Sequence, residues 1–505
     1  MTSSASPHRI VILGGGTAGW MAACLMAHHW PRDRVLVTVV ESPEIGIIGV
    51  GEGSTPQMKI FFDELGIAER DWMPKCNATY KNGISFHGWS ERPGFENYFH
   101  PFQTALDIHT QQAFFFHTRA RRTGRDVWGH PDRFFISAKL AADRRGPIAG
   151  DSFPFQVGYG YHFDATLVGA FLRDHACSQL GVRHIARRID RAVVNEDGDI
   201  AHLIDEAGAA IDGDFFVDAS GFRSVLLQGA LKEPFQSFSG NLFNDRAVAM
   251  PSANQTGIIP CETRATALSN GWAWSIPLTN RAGNGYVFAS SHISPDAAET
   301  ELRAHLDLLD SDVEARHLQM KVGQVARSWA RNCLAIGLAQ GFIEPLEATA
   351  LHIVHATVAG FIETYDQGNF TDAGAAQFNH QIHARYEGIR DYIVCHYRMN
   401  GRTDSDYWRD NAANQTLSDP LKAIMTCWFQ GGELDAEITR LGIENYYAPL
   451  SWHCLLAGYG QYPADQKLTP AEQSLPLAEM PVIDDFIGRC ALNFASHEDQ
   501  LAALR

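Results

Sequence analysis

The 505-residue sequence lacks any uninterrupted apolar run near the roughly twenty residues that a membrane-spanning helix needs. Residues 1–9 are polar and lack the apolar stretch of a secretory signal. No membrane partner and a cytoplasmic location are therefore expected. Paired cysteines are missing too. The nine present (Cys24, Cys76, Cys177, Cys261, Cys333, Cys395, Cys427, Cys454 and Cys490) are irregularly spaced and form no C-x-x-C pair. That pattern argues against a disulfide framework or a structural zinc site and predicts a reduced chain without a metal centre. Basic charge is in deficit: 41 Lys and Arg face 58 Asp and Glu, for a formal charge of −17. Nucleic acid and anionic membrane surfaces are not expected as partners, although a buried site is governed by local charge. Internal repeats and low-complexity tracts are absent.

What is present is globular in kind. Hydrophobic residues make up 45% and charged residues 20%, and the length allows two or three ordinary domains or one large domain with insertions. Residues 9–13 read as a buried strand, with Ile10-Val11-Ile12-Leu13 a continuous apolar run. Residues 17–30 follow as a helix, with Ala18, Met21, Ala22, Leu25 and Met26 at helical spacing and Pro31 just beyond. Residues 35–41 form a second buried strand, completing a βαβ unit. A glycine-rich loop is predicted over 46–56, a helix from Lys59, and strands with irregular insertions over 84–160. A helix follows over 166–180, then a hairpin over 197–211 turning at Gly198, a strand over 214–218 and strand-like sequence over 237–291. Residues 299–309 read as helix. The chain then becomes mostly helical after Ala348, with a looser region at 458–486.

Gly14-Gly15-Gly16-Thr17-Ala18-Gly19 fits G-x-G-x-x-G at the strand-to-helix turn. Gly14 permits the tight turn, Gly16 lets backbone approach a pyrophosphate, and Gly19 lets helix pack on strand. The helix N-terminus offers N–H groups, including those at Thr17 and Ala18, to phosphate. Glu41 ends the second strand where a carboxylate meets the adenosine ribose. A glycine turn that merely joins strand to helix would leave Glu41 unexplained. Asp218-Ala219-Ser220-Gly221 follows an apolar strand and resembles the second FAD fingerprint of glutathione-reductase-like flavoproteins, with Asp218 and Gly221 as cofactor contacts; an ordinary strand end is the alternative. Gly158-Tyr159-Gly160 and Gly283-Asn284-Gly285 lack the third glycine and the following helix, so no nicotinamide domain is expected. Reduced flavin would then come from a separate reductase, though single-component hydroxylases lack such a domain as well.

Four further segments carry a more specific resemblance, which spans nearly the whole chain. Gly271-Trp272-Ala273-Trp274-Ser275-Ile276-Pro277 has a W-x-W-x-I-P pattern. Gly49-Val50-Gly51-Glu52-Gly53-Ser54-Thr55-Pro56 looks like a flavin-covering loop of the form G-x-G-E-x-T-x-P, with its polar pair slightly shifted. Lys81 follows an aromatic residue in Asn77-Ala78-Thr79-Tyr80-Lys81-Asn82-Gly83-Ile84, and Glu347 lies in Pro345-Leu346-Glu347-Ala348-Thr349-Ala350. Together these segments resemble the flavin-dependent halogenases of the tryptophan halogenase family.

The resemblance implies an α/β fold with α+β insertions: a Rossmann-like FAD domain of the glutathione-reductase and flavin-monooxygenase type, with a mostly helical C-terminal region. Residues 1–350 would form the FAD-binding and catalytic region, and 351–505 would complete the substrate site. It implies FAD, bound in part by Gly49, Gly51 and Glu52, and a halide ion, chloride or bromide, near Thr349 and Ala350. Hypohalous acid would reach Lys81, by hydrogen bonding or as a haloamine, and Glu347 would polarise the oxidant or remove the ring proton. Trp272 and Trp274 would keep substrate away from flavin, although residues two apart on a strand also share a face simply to pack a core. His100 and Phe102, in Phe99-His100-Pro101-Phe102, would wall an indole site or pack a core. Tyr446, Tyr447 and Trp452 form the nearest aromatic cluster downstream, and no clamp for an amino acid's charged ends aligns. The implied substrate is an indole-type aromatic: tryptophan, indole or a larger derivative. A flavin reductase is the implied partner, and the chain itself would be a monomer or homodimer. An FAD-dependent aromatic monooxygenase on the same fold is the alternative.

Overall fold

The computed structural model describes residues 6–44, 46, 51–254, 258–463, 468–470 and 479–505. The chain forms two compact units, each assembled from three separated stretches. The first comprises Met1–Asn77, Phe163–Ser239 and Met320–Tyr386; the second comprises Ala78–His162, Gly240–Gln319 and Glu387–Arg505.

The first unit is built on a six-stranded sheet in the order Arg183–Ala186, Val35–Glu41, His8–Leu13, Phe215–Asp218, Cys333–Ala335, Trp329–Ala330. All neighbours are parallel except the last pair. Continuous β-branched and aromatic runs suit this position, because crossover connections cover both faces of a parallel sheet. Val11, Leu13, Val40 and Phe216 pack with Leu226 and Leu227 in one apolar cluster. Phe215, Trp329, Phe361 and Tyr365 form an aromatic cluster. The helix Thr17–His29 packs against both Ala165–Ser178 and Ala350–Gln367. The expected βαβ unit is present with its expected bounds to within a residue.

The second unit carries a seven-stranded sheet in the order Arg316–Gln319, Arg246–Ser252, Ala282–Phe288, Gly271–Pro277, Thr263–Leu268, Gly83–His87, Asn97–Pro101. It is antiparallel except where Thr263–Leu268 runs parallel to Gly83–His87. The helix Pro295–His305 lies on one face, where Ala298 and Leu302 pack with Val248, Ala273, Tyr286 and Phe288.

Several local expectations shift. Residues 84–160 contain two helices, Gln111–Arg122 and Ile136–Ala142, that the aromatic-rich sequence concealed. The helix expected over 299–309 is Pro295–His305, started by Pro295 and a Ser294 cap that accepts from the Ala297 N–H. Glu52–Gly53 is a short strand inside the predicted glycine loop. The region expected to be loose at 458–486 contains the start of the helix Met480–Ala491. The mixed α/β class with a largely helical C-terminal region stands as expected. No helix among the described residues is long and apolar enough to cross a membrane.

Candidate active site

In the first unit the candidate cofactor residues gather at the carboxyl ends of the parallel strands, where loops can meet a ligand. Gly14 follows His8–Leu13 with a φ of +121°, and a Cβ there would stand 2.2 Å from the Ala219 carbonyl oxygen. A Cβ at Gly19 would stand 2.0 Å from the Gly14 oxygen. These two glycines are therefore required for the turn to close on itself and on the 219–221 segment. Gly16 differs: a Cβ there would meet no atom of the described residues within 4 Å. It caps the helix Thr17–His29 without a side-chain hydrogen bond, so no cap side chain takes a first-turn N–H group. The Thr17 hydroxyl donates to the Ala165 carbonyl at 3.3 Å, and the Ala18 methyl lies 3.0 Å from where a Cβ of Gly337 would stand.

Three carboxylates are held in different ways. Glu41 crosses over Gly15, and one of its oxygens lies 2.8 Å from His184 Nε2. Asp218 is fully buried. Its Oδ1 accepts from the Ser220 N–H at 3.1 Å and the Ser220 hydroxyl at 2.5 Å. Its Oδ2 accepts from the Leu226 and Leu227 N–H groups, both at 2.8 Å, and from the Ser224 hydroxyl at 3.3 Å. Asp218 thus caps the following helical turn, Val225–Ala230, a role that its position at a strand end did not reveal. Gly221 beside it has a φ of +70°, and a Cβ there would meet no atom of the described residues within 4 Å. Glu52, which follows Gly51 (φ +90°), is pushed up to about 7 by burial and by the nearby Asp164 carboxylate. Asp164 in turn caps the helix Ala165–Ser178 through the Thr166 and Leu167 N–H groups at 3.0 and 3.3 Å. Gly49 lies outside the described residues.

The segment carrying Glu347 follows the short strand Gly341–Phe342, which pairs antiparallel with Gly323–Val325 in a separate three-stranded sheet. Phe342 packs edge-on to Phe222, with ring centroids 5.5 Å apart, which sets it beside the Gly221 turn. Glu347 ends the short helix Pro345–Glu347 and is buried at 4% exposure. Ala348 then adopts a left-handed conformation (φ +54°), and the helix Ala350–Gln367 begins two residues later than expected, with Thr349 as its N-cap. Thr349 makes no capping side-chain bond, so the backbone N–H groups of this 18-residue helix's first turn are not used by its own cap.

The second unit holds Lys81, His100, Phe102, Trp272 and Trp274. Lys81 ends the strand Thr79–Lys81, paired antiparallel with Gly160–Phe163, and is fully buried. Its Nζ lies 5.5 Å from the centre of the Phe102 ring. Two residues on, Gly83–His87 pairs with Asn97–Pro101, setting Ile84 opposite His100. The structure thus brings Lys81, His100 and Phe102 into one neighbourhood. His162, opposite Thr79, is also fully buried; Nδ1 lies 3.0 Å from the Thr79 hydroxyl and Nε2 2.9 Å from the Thr263 hydroxyl. Burial first, then the charge of Lys81, holds His162 well below the usual imidazole range, so it stays neutral beside the lysine.

His100 lies edge-on to Tyr392 at 6.2 Å. Tyr392 stacks on Tyr447 at 3.6 Å and meets the edge of Trp452 at 4.8 Å. Of the downstream aromatics, Tyr447 and Trp452 therefore belong to the cluster around His100. The Trp452 indole N–H has no hydrogen-bond partner among the described residues.

Trp272 and Trp274 share one face of the strand Gly271–Pro277, with ring centroids 6.2 Å apart. Ala273 between them points to the helix Pro295–His305, so the two indoles lie on the other face. Their cross-strand neighbours are small: Ala267 and Val287 beside Trp272, Ala265 and Gly285 beside Trp274. A Cβ at Gly285 would stand 2.1 Å from the Trp274 ring. This explains the Gly283-Asn284-Gly285 stretch: Gly285 makes room for an indole.

Comparison with known proteins identifies the family. The sequence profile of the tryptophan halogenase family matches residues 9–474. A 7-chloro-L-tryptophan 6-halogenase of Kutzneria sp. (strain 744) is 35% identical, covering 98% of this chain and 99% of that protein. The crystal structure of a tryptophan 6-halogenase from Streptomyces toxytricini superposes with a TM-score of 0.84 at 32% identity, covering 99% of this chain and 100% of the other. A flavin-dependent halogenase from Xanthomonas campestris superposes with a TM-score of 0.82 at 30% identity, covering 99% of both chains.

Proposed function

This chain belongs to the tryptophan halogenase family of flavin-dependent halogenases, and on that premise we propose that it halogenates an indole-type aromatic, with Lys81 directing the oxidant and FAD and a halide ion bound in the first unit. The observation that carries this reading is Lys81 itself: a fully buried lysine whose ammonium faces the Phe102 ring, in a chain with a carboxylate excess that would suit a surface lysine better.

The cofactor residues fit FAD. Gly16, where a Cβ would meet no atom of the described residues within 4 Å, and the helix N-terminus it caps suit a pyrophosphate. Glu41 offers a carboxylate to a ribose, Gly14, Thr17, Ala18 and Gly19 shape the turn, and Gly51, Glu52, Asp218 and Gly221 contribute from the neighbouring loops. Bound in reduced form, FAD supplies with O2 the two-electron oxidation that turns halide into hypohalous acid. Thr349 and Ala350 hold chloride or bromide at the N-terminal end of their helix. Trp272 and Trp274 keep the aromatic substrate from the flavin. Lys81 holds the electrophilic halogen beside one ring carbon, as a hydrogen-bonded acid or a haloamine, so position on the ring follows from orientation. The carbon–halogen bond forms as the halogen–oxygen or halogen–nitrogen bond breaks, and Glu347 takes the proton the ring carbon loses. His100 and Phe102 wall the ring. Residues 1–350 supply the catalytic groups, and the helical residues 351–505 complete the substrate site.

Reduced FAD comes from a separate flavin reductase in this proposal, supported by the lack of a second dinucleotide motif. All nine cysteines are unpaired, which supports a cytoplasmic location.

The test is mass spectrometry of reactions containing reduced FAD, O2 and bromide over tryptophan, indole and larger indole derivatives. Brominated product on at least one indole is expected. Hydroxylated indole without bromination overturns the reading. Lys81→Ala is expected to lose bromination while flavin reoxidation continues; loss of both would move Lys81 to a flavin-binding role.

A further inference from the structure

Lys81 sits on a strand of three residues, Thr79–Lys81, too short to fix its own geometry. One side pairs with Gly160–Phe163. The backbone N–H of Tyr80, immediately before Lys81, is instead taken by a side chain from near the end of the chain: it donates to His497 Nε2 at 3.1 Å. The other ring nitrogen, Nδ1, lies 2.9 Å from the Ile259 carbonyl oxygen. A carbonyl can only accept, so Nδ1 carries the proton and Nε2 keeps its lone pair for Tyr80. The ring is thus fixed in one neutral tautomer, and it is fully buried.

His497 is anchored in its turn. Its own N–H donates to the Arg144 carbonyl at 2.9 Å. The strand before it, Phe494–Ser496, pairs with Arg145–Ala149. Three residues on, the Gln500 side chain accepts from the Ile148 N–H at 3.0 Å and donates to the Ile148 carbonyl at 2.8 Å. The same strand holds the residue after Lys81, because the Asn82 side chain donates to the Arg145 carbonyl at 2.9 Å.

Resting on the assignment of Lys81 as the catalytic lysine, we infer that His497 is a positioning residue for it, fixing the backbone beside Lys81 so that its ammonium holds one direction. A displacement of about 1 Å at a reacting group costs on the order of 100-fold, so a side chain that sets this backbone bears directly on turnover.

Two substitutions separate the ring's two bonds. His497→Asn keeps a donor for Ile259 but has no atom that reaches Tyr80; His497→Gln places an acceptor where Nε2 stood. Halogenated product per flavin reoxidised is measured for both, together with amide exchange of residues 79–82, FAD binding and melting temperature. His497→Asn is expected to lower the product ratio by about 10–100-fold, with faster exchange at 79–82 and unchanged flavin reoxidation. His497→Gln is expected to recover both within a few-fold. Equal product ratios in the two variants, or a lower ratio without faster exchange, overturn the inference. So does a His497→Asn protein that fails to fold, which would make the ring a general support. Lys81→Ala run in parallel distinguishes the levels: a halogenating Lys81→Ala sinks the lysine assignment itself, whereas an inactive one beside a fully coupled His497→Asn sinks only the role of His497.

Discussion

Asp218 illustrates how a residue in a cofactor fingerprint can serve the fold before any ligand arrives. Its two oxygens take five hydrogen bonds from Ser220, Ser224, Leu226 and Leu227. Asp218→Ala removes the acceptor for two buried backbone N–H groups, at a cost of about 2–4 kcal/mol. The flavin-free protein is therefore expected to melt earlier, as read by thermal unfolding without FAD; an unchanged melting temperature would mean the carboxylate matters only to the ligand. At this scale the sequence was informative where a residue's type and its immediate neighbours decide the matter. Lys81 stood out by the motif around it, and the structure sets it beside Phe102. His497 did not, because a lone histidine near the chain's end carries no local sign that its ring meets Tyr80. The partner of a side-chain-to-backbone bond is fixed by tertiary packing, which leaves no periodicity to read.

Among the elements, the strand Gly271–Pro277 depends on its neighbours as much as on its tryptophans. Gly285→Ala would drive a methyl into the Trp274 ring, 2.1 Å from the new Cβ. The ring must move, and overpacking of this kind costs about 1–3 kcal/mol. Lower stability and a changed tryptophan fluorescence are expected, with Trp274→Phe in the same protein relieving part of the loss in a double-mutant cycle. Strict additivity would show that the two residues do not press on each other. The βαβ unit was legible because parallel strands are continuous apolar runs and its helix is bounded by glycine and proline. The helices Gln111–Arg122 and Ile136–Ala142 were not, since Phe114, Phe115, Phe116, Phe134 and Phe135 suit a strand as well as a helix by composition. The parallel pairing of Gly83–His87 with Thr263–Leu268 joins strands far apart in the chain, beyond the reach of any local pattern.

For the whole molecule, acidity is the simplest probe. Burial lowers His162, His396 and His497, with the Lys81 charge adding to the effect at His162. His87 and His352 are lowered to about 4, chiefly by burial. In the unfolded chain all five take up protons near pH 6.5, while in the folded chain they resist until lower pH. The unfolded state then binds more protons, so this part of the stability is complete above about pH 6.5 and is lost as pH falls. Burial lowers His8, His175, His305 and His453 in the same sense. Glu52 and Asp107, both raised to about 7, and Asp132, Glu262 and Asp391, also raised by burial, act in the opposite sense, but they are five groups against nine. Urea unfolding is expected to show stability falling between about pH 6.5 and 5, by up to about 1.4 kcal/mol per pH unit for each unbalanced imidazole. A flat or rising profile would mean these rings become charged within the fold.

The interleaving of the two units bears on how the chain is made. Translation delivers His8–Leu13 and Val35–Glu41 almost at once, but the strand that borders His8–Leu13 on its other side, Phe215–Asp218, comes much later, and Cys333–Ala335 later still. Meanwhile the ribosome has begun the second unit, whose last stretch ends at the final residue. Neither unit can finish in the order of synthesis before the other has started. A nascent chain halted short of Phe215 therefore presents an apolar strand edge with no native neighbour, the kind of surface that recruits chaperones or seeds aggregation during expression.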